Sequence, residues 1–342
     1  MAASPLPALL YAYNRWMGRF LLFALLLLAG LAFLPQVLTP LLGLGPNPAL
    51  LPSPGRAVSV GGETVLSVTE LGQGEPVILV HGLPGSASDW GDVPAQLAAQ
   101  GYRTIVYDRA GYGFSSRPPE TPDRYTLTSN AQDLVGLLAA LGIDRASFVG
   151  WSYGGGIVQV LARQSPQLVS HLVLLSSVGP IEIPDPEGEP LASRLVRSPI
   201  ALPLFDWVRN VPPLARFVTH DALVKAFTDS SAIPRGYEER TLALLARPGT
   251  LRSYVLEEQR FNPGLLHPEA IAAPTLILQG SDDLLVKPAV GEDLAKRVPN
   301  AQLVVVPIGS HMLPVTDPEQ VVRRIREFLT QKGVEQNPQS PG

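Results

Sequence analysis

The sequence predicts an α/β fold: a mainly parallel central sheet with helices on both faces and a helical cap inserted between two of its strands. Three observations carry this. Short apolar runs, VILV (77–80), TIVYD (104–108), ASFVG (146–150), HLVLLSS (171–177), TLILQG (275–280) and QLVVVP (302–307), alternate with helical stretches around 88–99, 128–141, 152–164 and 317–331. Strands that are apolar on both faces and separated by helices belong in a parallel sheet covered on two sides. The alternation then stops between Gly179 and about Ala273, where segments such as DWVRNVPPLARFV and DALVKAF read as helices and no core-type strand occurs. So long an interval is not a plain loop, and it reads as the cap.

Taken in chain order, residues 1–44 form a hydrophobic segment, 45–57 a Pro/Gly-rich linker, 58–179 and 273–332 the core, 180–272 the cap and 333–342 a flexible tail. From Phe20 the chain reads FLLFALLLLAGLAFLP, and no charge appears between Arg19 and Arg56. An apolar run of this length can span a bilayer core of roughly 30 Å. Arg15 and Arg19 precede it without any acidic residue, and Trp16 suits an interface. This pattern predicts a membrane anchor with the large domain after Arg56 on the extracytoplasmic side. Two alternatives are a cleaved secretory signal, giving a secreted protein, and an amphipathic helix along the entrance of the site. AVSVGG and TVLSVTEL, next along the chain, are expected to pair antiparallel at one edge of the sheet.

Composition narrows the function classes. The 342 residues are 46% apolar and 16% charged, as in a folded protein, and the net charge of −4 is spread over interspersed residues. A phosphate backbone would find no basic patch, so nucleic acid is not an expected partner. There are no cysteines, and the five histidines show no i, i+4 spacing, so neither a metal nor another cofactor is expected.

Chemistry enters at Gly150-Trp151-Ser152-Tyr153-Gly154, which fits G-x-S-x-G between a strand and a helix. The turn is sharp, so neighbours without a Cβ are needed, and it lifts the serine hydroxyl above the carboxyl edge of the sheet. A serine needs a base, and the base needs an orienting carboxylate. His311 follows one strand-like run, while Asp282 and Asp283 follow the run before it. The loop HGLPGSASDW after VILV lets the Leu83 N–H aim at an oxyanion together with the Tyr153 N–H. His81, with Gly82 and Gly85, is read as shaping that loop. Asp108 and Arg109 are read as making local hydrogen bonds that fix the turn containing Gly111 and Gly113.

With these motifs in place, the chain resembles the α/β-hydrolase superfamily across about residues 58–332, specifically its lidded serine hydrolases and esterases. The resemblance rests on HGLPG (81–85), DRAGYGFS (108–115), GWSYGG (150–155), GSDD (280–283) and the Ser-His pair ending at His311. It implies Ser152 as nucleophile, His311 as base, Leu83 and Tyr153 as oxyanion hole, and Asp283 over Asp282 as the acid. Gly150 and Gly154 complete the elbow. Epoxide hydrolases are similar across these loops but carry an aspartate where this chain has Ser152. The activity implied is cleavage of carboxylic esters, hydrophobic or acyl-chain esters above all, through an acyl-enzyme. Trp151, Phe205, Trp207, Phe217 and Phe227 are the candidate pocket residues. A carbon–carbon bond hydrolase, a perhydrolase, an epoxide hydrolase-like activity and an inactive membrane-tethered binding module are the alternatives.

Overall fold

The computed structural model describes residues 55–181 and 195–331, with positions 23, 30, 34, 37, 38, 41, 51 and 52 before them. Strands β1 (Arg56–Gly61) and β2 (Thr64–Leu71) pair antiparallel, as their alternating burial suits a half-exposed edge. Strands β3 (Pro76–Val80), β4 (Arg103–Asp108), β5 (Ala146–Trp151), β6 (Val169–Leu175), β7 (Thr275–Gly280) and β8 (Ala301–Val306) run parallel to one another. The order across the sheet is β1-β2-β4-β3-β5-β6-β7-β8. The chain passes from β3 to β4 on one side and then crosses to β5 on the other. Such a reversal opens a crevice at the carboxyl ends of the two central strands. Val80 pairs with Gly150 across it, so the loops that leave β3 and β5 start side by side.

Helices cover both faces. Helix α1 (Val93–Ala99) lies on one face, while α2 (Leu127–Leu141) and α3 (Tyr153–Gln164) lie on the other. Between β6 and β7 comes the inserted region, with α4 (Ala201–Arg209), α5 (Pro212–Phe227), α6 (Tyr237–Leu245) and α7 (Thr250–Arg260). The core then closes with α8 (Pro288–Arg297), the short α9 (Leu313–Thr316) and α10 (Pro318–Thr330). In α10 the buried side chains are Val321, Val322, Ile325 and Phe328, one apolar stripe facing the sheet, while the arginines between them face water. Helix α2 starts at Thr126, whose hydroxyl accepts the Ser129 N–H at 3.1 Å, and ends at Gly142 in the left-handed region.

The N-terminal expectation is corrected. Among the described residues no helix is long and apolar enough to cross a membrane. The anchor, the membrane as partner and the extracytoplasmic placement therefore fall together. Hydropathy records a preference for leaving water, and that preference alone does not make the continuous helix of about 20 residues that a span requires. Most of 1–54 lies outside the described residues, as do the cleaved-signal alternative, most of the linker and the 333–342 tail.

Helix α2 approaches β1 so closely that a Cβ on Gly136 would collide with the Val60 carbonyl oxygen. Gly136→Ala is expected to lower unfolding free energy by about 2 kcal/mol, the usual cost of overpacking. Urea titration measures it, and a change below about 0.5 kcal/mol would mean that the helix backs away without resistance.

Candidate active site

At Ser152 the chain must turn from β5 into α3 within one residue. It does so with φ +56° and ψ −121°, a conformation that an L-residue adopts only under strain. The glycines around it are spacing devices. A Cβ on Gly154 would lie 2.6 Å from the His81 carbonyl oxygen, and one on Gly150 would lie 2.6 Å from the Gly154 carbonyl oxygen. A Cβ on Gly82 would press on Ser152 at 3.0 Å. The Ser152 N–H donates to Leu175 on β6, and its carbonyl accepts from Gly155 and Val178, so the backbone of the turn is satisfied. Its side chain is only half-buried, and Tyr153 opens α3 with its backbone N–H among the free donors of a helix start.

The imidazole and carboxylate meet. His311 Nδ1 lies 2.9 Å and 3.1 Å from the two Asp283 oxygens, with both residues buried. Asp283 Oδ1 also accepts the backbone N–H groups of Leu285 at 2.9 Å and Val286 at 2.8 Å, and Gln279 Nε2 approaches Oδ2 at 3.3 Å. A buried carboxylate so supplied keeps one edge for the imidazole. Asp282 is exposed instead, and its Oδ1 accepts from the Ser281 hydroxyl. Thus Asp283 and His311 stand in contact, on loops that leave the same sheet edge as Ser152.

A further tie crosses from the elbow to the His311 loop. The Trp151 indole N–H donates to the His311 carbonyl at 3.0 Å, and its ring sits between Trp90 (5.7 Å) and the imidazole (6.1 Å). Trp151 was expected to line the pocket; it is 4% exposed and serves as a strut. Of the other pocket candidates, Phe227 packs edge-on to Tyr237, Phe205 edge-on to Tyr254, and Phe217 is 69% exposed. Trp207 is half-buried on α4. A small depression against the Pro84-Gly85 loop is lined by Tyr112, Thr241, Leu244 and Thr250, none of them among those candidates. These carry no motif, and only the fold brings them there.

The supporting loops behave as follows. Asp108 accepts the backbone N–H groups of Ala87 and Phe114, both at 2.8 Å, and so clamps its own turn to the loop after β3. Gly113 has φ +44° and sits directly against that carboxylate. Arg109, expected to bond locally, reaches across the molecule to Glu257 on α7 at 2.6 Å, a partner 148 positions away. His81 is fully buried, its Nε2 accepting the Arg109 backbone N–H at 2.9 Å while Nδ1 lies 2.9 Å from the Gly82 carbonyl. The first contact leaves the proton on Nδ1, which then donates to that carbonyl. Gly85 must lack a side chain because a Cβ there would lie 2.9 Å from His81 Nδ1.

Burial, and then the charge of Arg109, holds the His81 imidazole well below its usual value. The unfolded chain therefore takes up a proton that the folded chain refuses. Stability from this group is full above the ordinary histidine value near 6.5 and is lost as pH falls toward the depressed folded value. Burial raises Asp89 and Asp108, which act in the opposite sense at lower pH, so the difference between chains is the useful quantity. Unfolding free energies from urea titrations between pH 7.5 and 5 should fall more steeply for the wild type than for His81→Gln, by at most about 1.4 kcal/mol per pH unit. Parallel profiles would mean that the imidazole gains its proton in place.

Comparison with known proteins follows the same lines. A family described as the alpha/beta hydrolase fold matches residues 75–220. A 2-hydroxy-6-oxononadienedioate/2-hydroxy-6-oxononatrienedioate hydrolase of Paraburkholderia xenovorans is 32% identical over 280 residues, covering 78% of this chain and 91% of its own. A 2-hydroxymuconate semialdehyde hydrolase of Pseudomonas putida is 29% identical over 288 residues, covering 83% and 97%. Among solved structures, a thermophilic esterase from Thermogutta terrifontis is 27% identical with a TM-score of 0.65, covering 81% of this chain and 98% of that one. Proteins similar to this chain are thus named for esters, carbamates, lactones and keto acids. With its eight-stranded sheet, its helical insertion after β6 and these matches along most of its length, the chain belongs to the α/β-hydrolase superfamily.

Proposed function

We propose that this chain is a serine hydrolase that breaks a bond to a carbonyl carbon, with Ser152 as nucleophile, His311 as base and Asp283 as the residue that orients it. The observation that carries the reading is the buried His311–Asp283 contact at 2.9 Å, set on the sheet edge where the strained Ser152 turn stands. His311 takes the Ser152 proton as Oγ attacks the carbonyl carbon. Charge then collects on the carbonyl oxygen, where the Leu83 and Tyr153 N–H groups stabilise it. Collapse expels the leaving group, which receives the proton from His311 and leaves an acyl-serine. Water, deprotonated by the same imidazole, releases the acid.

A carbon–carbon bond beside a ketone is the bond that the comparisons favour. Two bacterial relatives that match over most of their length are named as hydrolases of a 2-hydroxymuconate semialdehyde and of 2-hydroxy-6-oxo dioates. Breaking such a bond leaves an electron pair on carbon, which is tolerable where a second carbonyl takes it up as an enolate. His311 would then protonate carbon in place of oxygen. Ester cleavage is the second reading, favoured by the likeness to the thermophilic esterase. Preference for long acyl chains loses the support of the membrane anchor.

Turnover of a 2-hydroxy-6-oxodienoate, followed by loss of its visible absorbance, is to be compared with release of p-nitrophenol from acetate and butyrate esters. The keto acid should show the larger kcat/KM. Ser152→Ala and His311→Ala should lose about 10⁴-fold or more on either substrate, Asp283→Asn a similar factor, and Asp282→Asn less than about threefold. A fluorophosphonate should label Ser152 in the wild type. A folded chain that turns over neither substrate and resists labelling would make the inactive binding module the better reading.

A further inference from the structure

The Gly82 carbonyl accepts two hydrogen bonds, from His81 Nδ1 at 2.9 Å and from Arg109 Nη2 at 3.0 Å. That carbonyl and the Leu83 N–H belong to one planar peptide, which is trans. Across a trans peptide the C=O and N–H point in opposite directions, so whatever fixes the first aims the second. Gly82 also lies against Ser152, since a Cβ there would be 3.5 Å from the serine Oγ. The two donors behind Gly82 therefore set the direction of a backbone N–H in front of the nucleophile.

Arg109 is an expensive donor. Its side chain is wholly buried, and so is that of Glu257, the carboxylate that neutralises it at 2.6 Å. Glu257 is supplied by α7, a helix of the inserted region, whereas Arg109 belongs to the loop after β4. The Tyr112 hydroxyl donates to Glu257 Oε2 at 2.8 Å and Asn130 Nδ2 to Oε1 at 2.8 Å, so the carboxylate is held from several sides. The guanidinium carbon stands 4.6 Å from the centre of the Tyr112 ring and 5.0 Å from that of Tyr153, whose backbone is the other oxyanion donor. One guanidinium thus touches the supports of both donors. A buried ion pair contributes little to stability against apolar side chains of similar size, and losing one partner alone is costly.

We propose that Glu257 and Arg109 are a positioning pair for the oxyanion hole: the inserted region supplies the charge that keeps Arg109 on the Gly82 carbonyl and so keeps the Leu83 N–H aimed at the substrate oxygen. This rests on the serine-hydrolase reading. It makes seating of α7 a condition for transition-state stabilisation, separate from any contact of the insertion with substrate.

The test uses the purified full chain, the better of the substrates above and a trifluoromethyl ketone, whose serine adduct places an oxyanion in the hole. Glu257→Gln should lower kcat by about tenfold to a hundredfold, leave KM within about threefold, and weaken the ketone by a factor that matches the loss in kcat. The double variant Arg109→Met with Glu257→Met removes both charges together. It should melt near the wild-type temperature and show the same loss, which a purely structural pair would not produce. Wild-type kcat and ketone affinity in either folded variant, or losses in both that merely track loss of folded protein, would overturn the assignment. Failure of the serine-hydrolase reading looks different, because the wild type itself would then escape both the ketone and Ser152 labelling.

Discussion

Everything at the sheet edge depends on the turn at Ser152. A chain leaving β5 along the sheet must reverse into α3 immediately, and it can do so only with a positive φ and with backbone approaching backbone. Gly150 and Gly154 make the turn possible, and neighbouring hydrogen bonds from β6 hold it in place. The strain is localised, and the rest of the sheet is regular enough to bear it. Because Val80 and Gly150 are paired, the loop after β3 has no choice but to cross in front of the serine.

The polar groups around that turn are arranged by burial. Asp283, His311, His81, Arg109 and Glu257 are nearly inaccessible to water, and each has partners that satisfy it. Buried charges without partners would be pushed toward neutrality or would destabilise the fold. Two independent sets result: a carboxylate–imidazole pair on the loops after β7 and β8, and a guanidinium–carboxylate pair behind the loop after β3. The first stands at the sheet edge from which Ser152 also emerges, and the second backs the loop after β3.

How much of this could be read from residues alone follows from the range of each interaction. The parallel strands were legible because a strand buried on both faces writes a short apolar run, and the G-x-S-x-G turn because its sterics demand glycine at fixed offsets. Asp283 and His311 were legible as candidates because they follow such runs, although their contact needs the fold. The Arg109–Glu257 pair was not, since nothing local distinguishes Glu257 from other acidic residues of the inserted region. Trp151 read as a pocket wall because an aromatic beside a nucleophile has two uses, and only the fold shows its indole N–H on a backbone carbonyl. The apolar N-terminal run read as a span on hydropathy alone, whereas among the described residues no helix is long and apolar enough to cross a membrane.

The bond from Trp151 to the His311 loop ends on a main-chain oxygen, so it does not depend on which side chain occupies position 311. Stripping that position of its imidazole would leave the strap fastened. The strand end that carries Trp151 and the loop after β8 would stay joined through an indole and a main-chain oxygen, whatever side chain stood at 311.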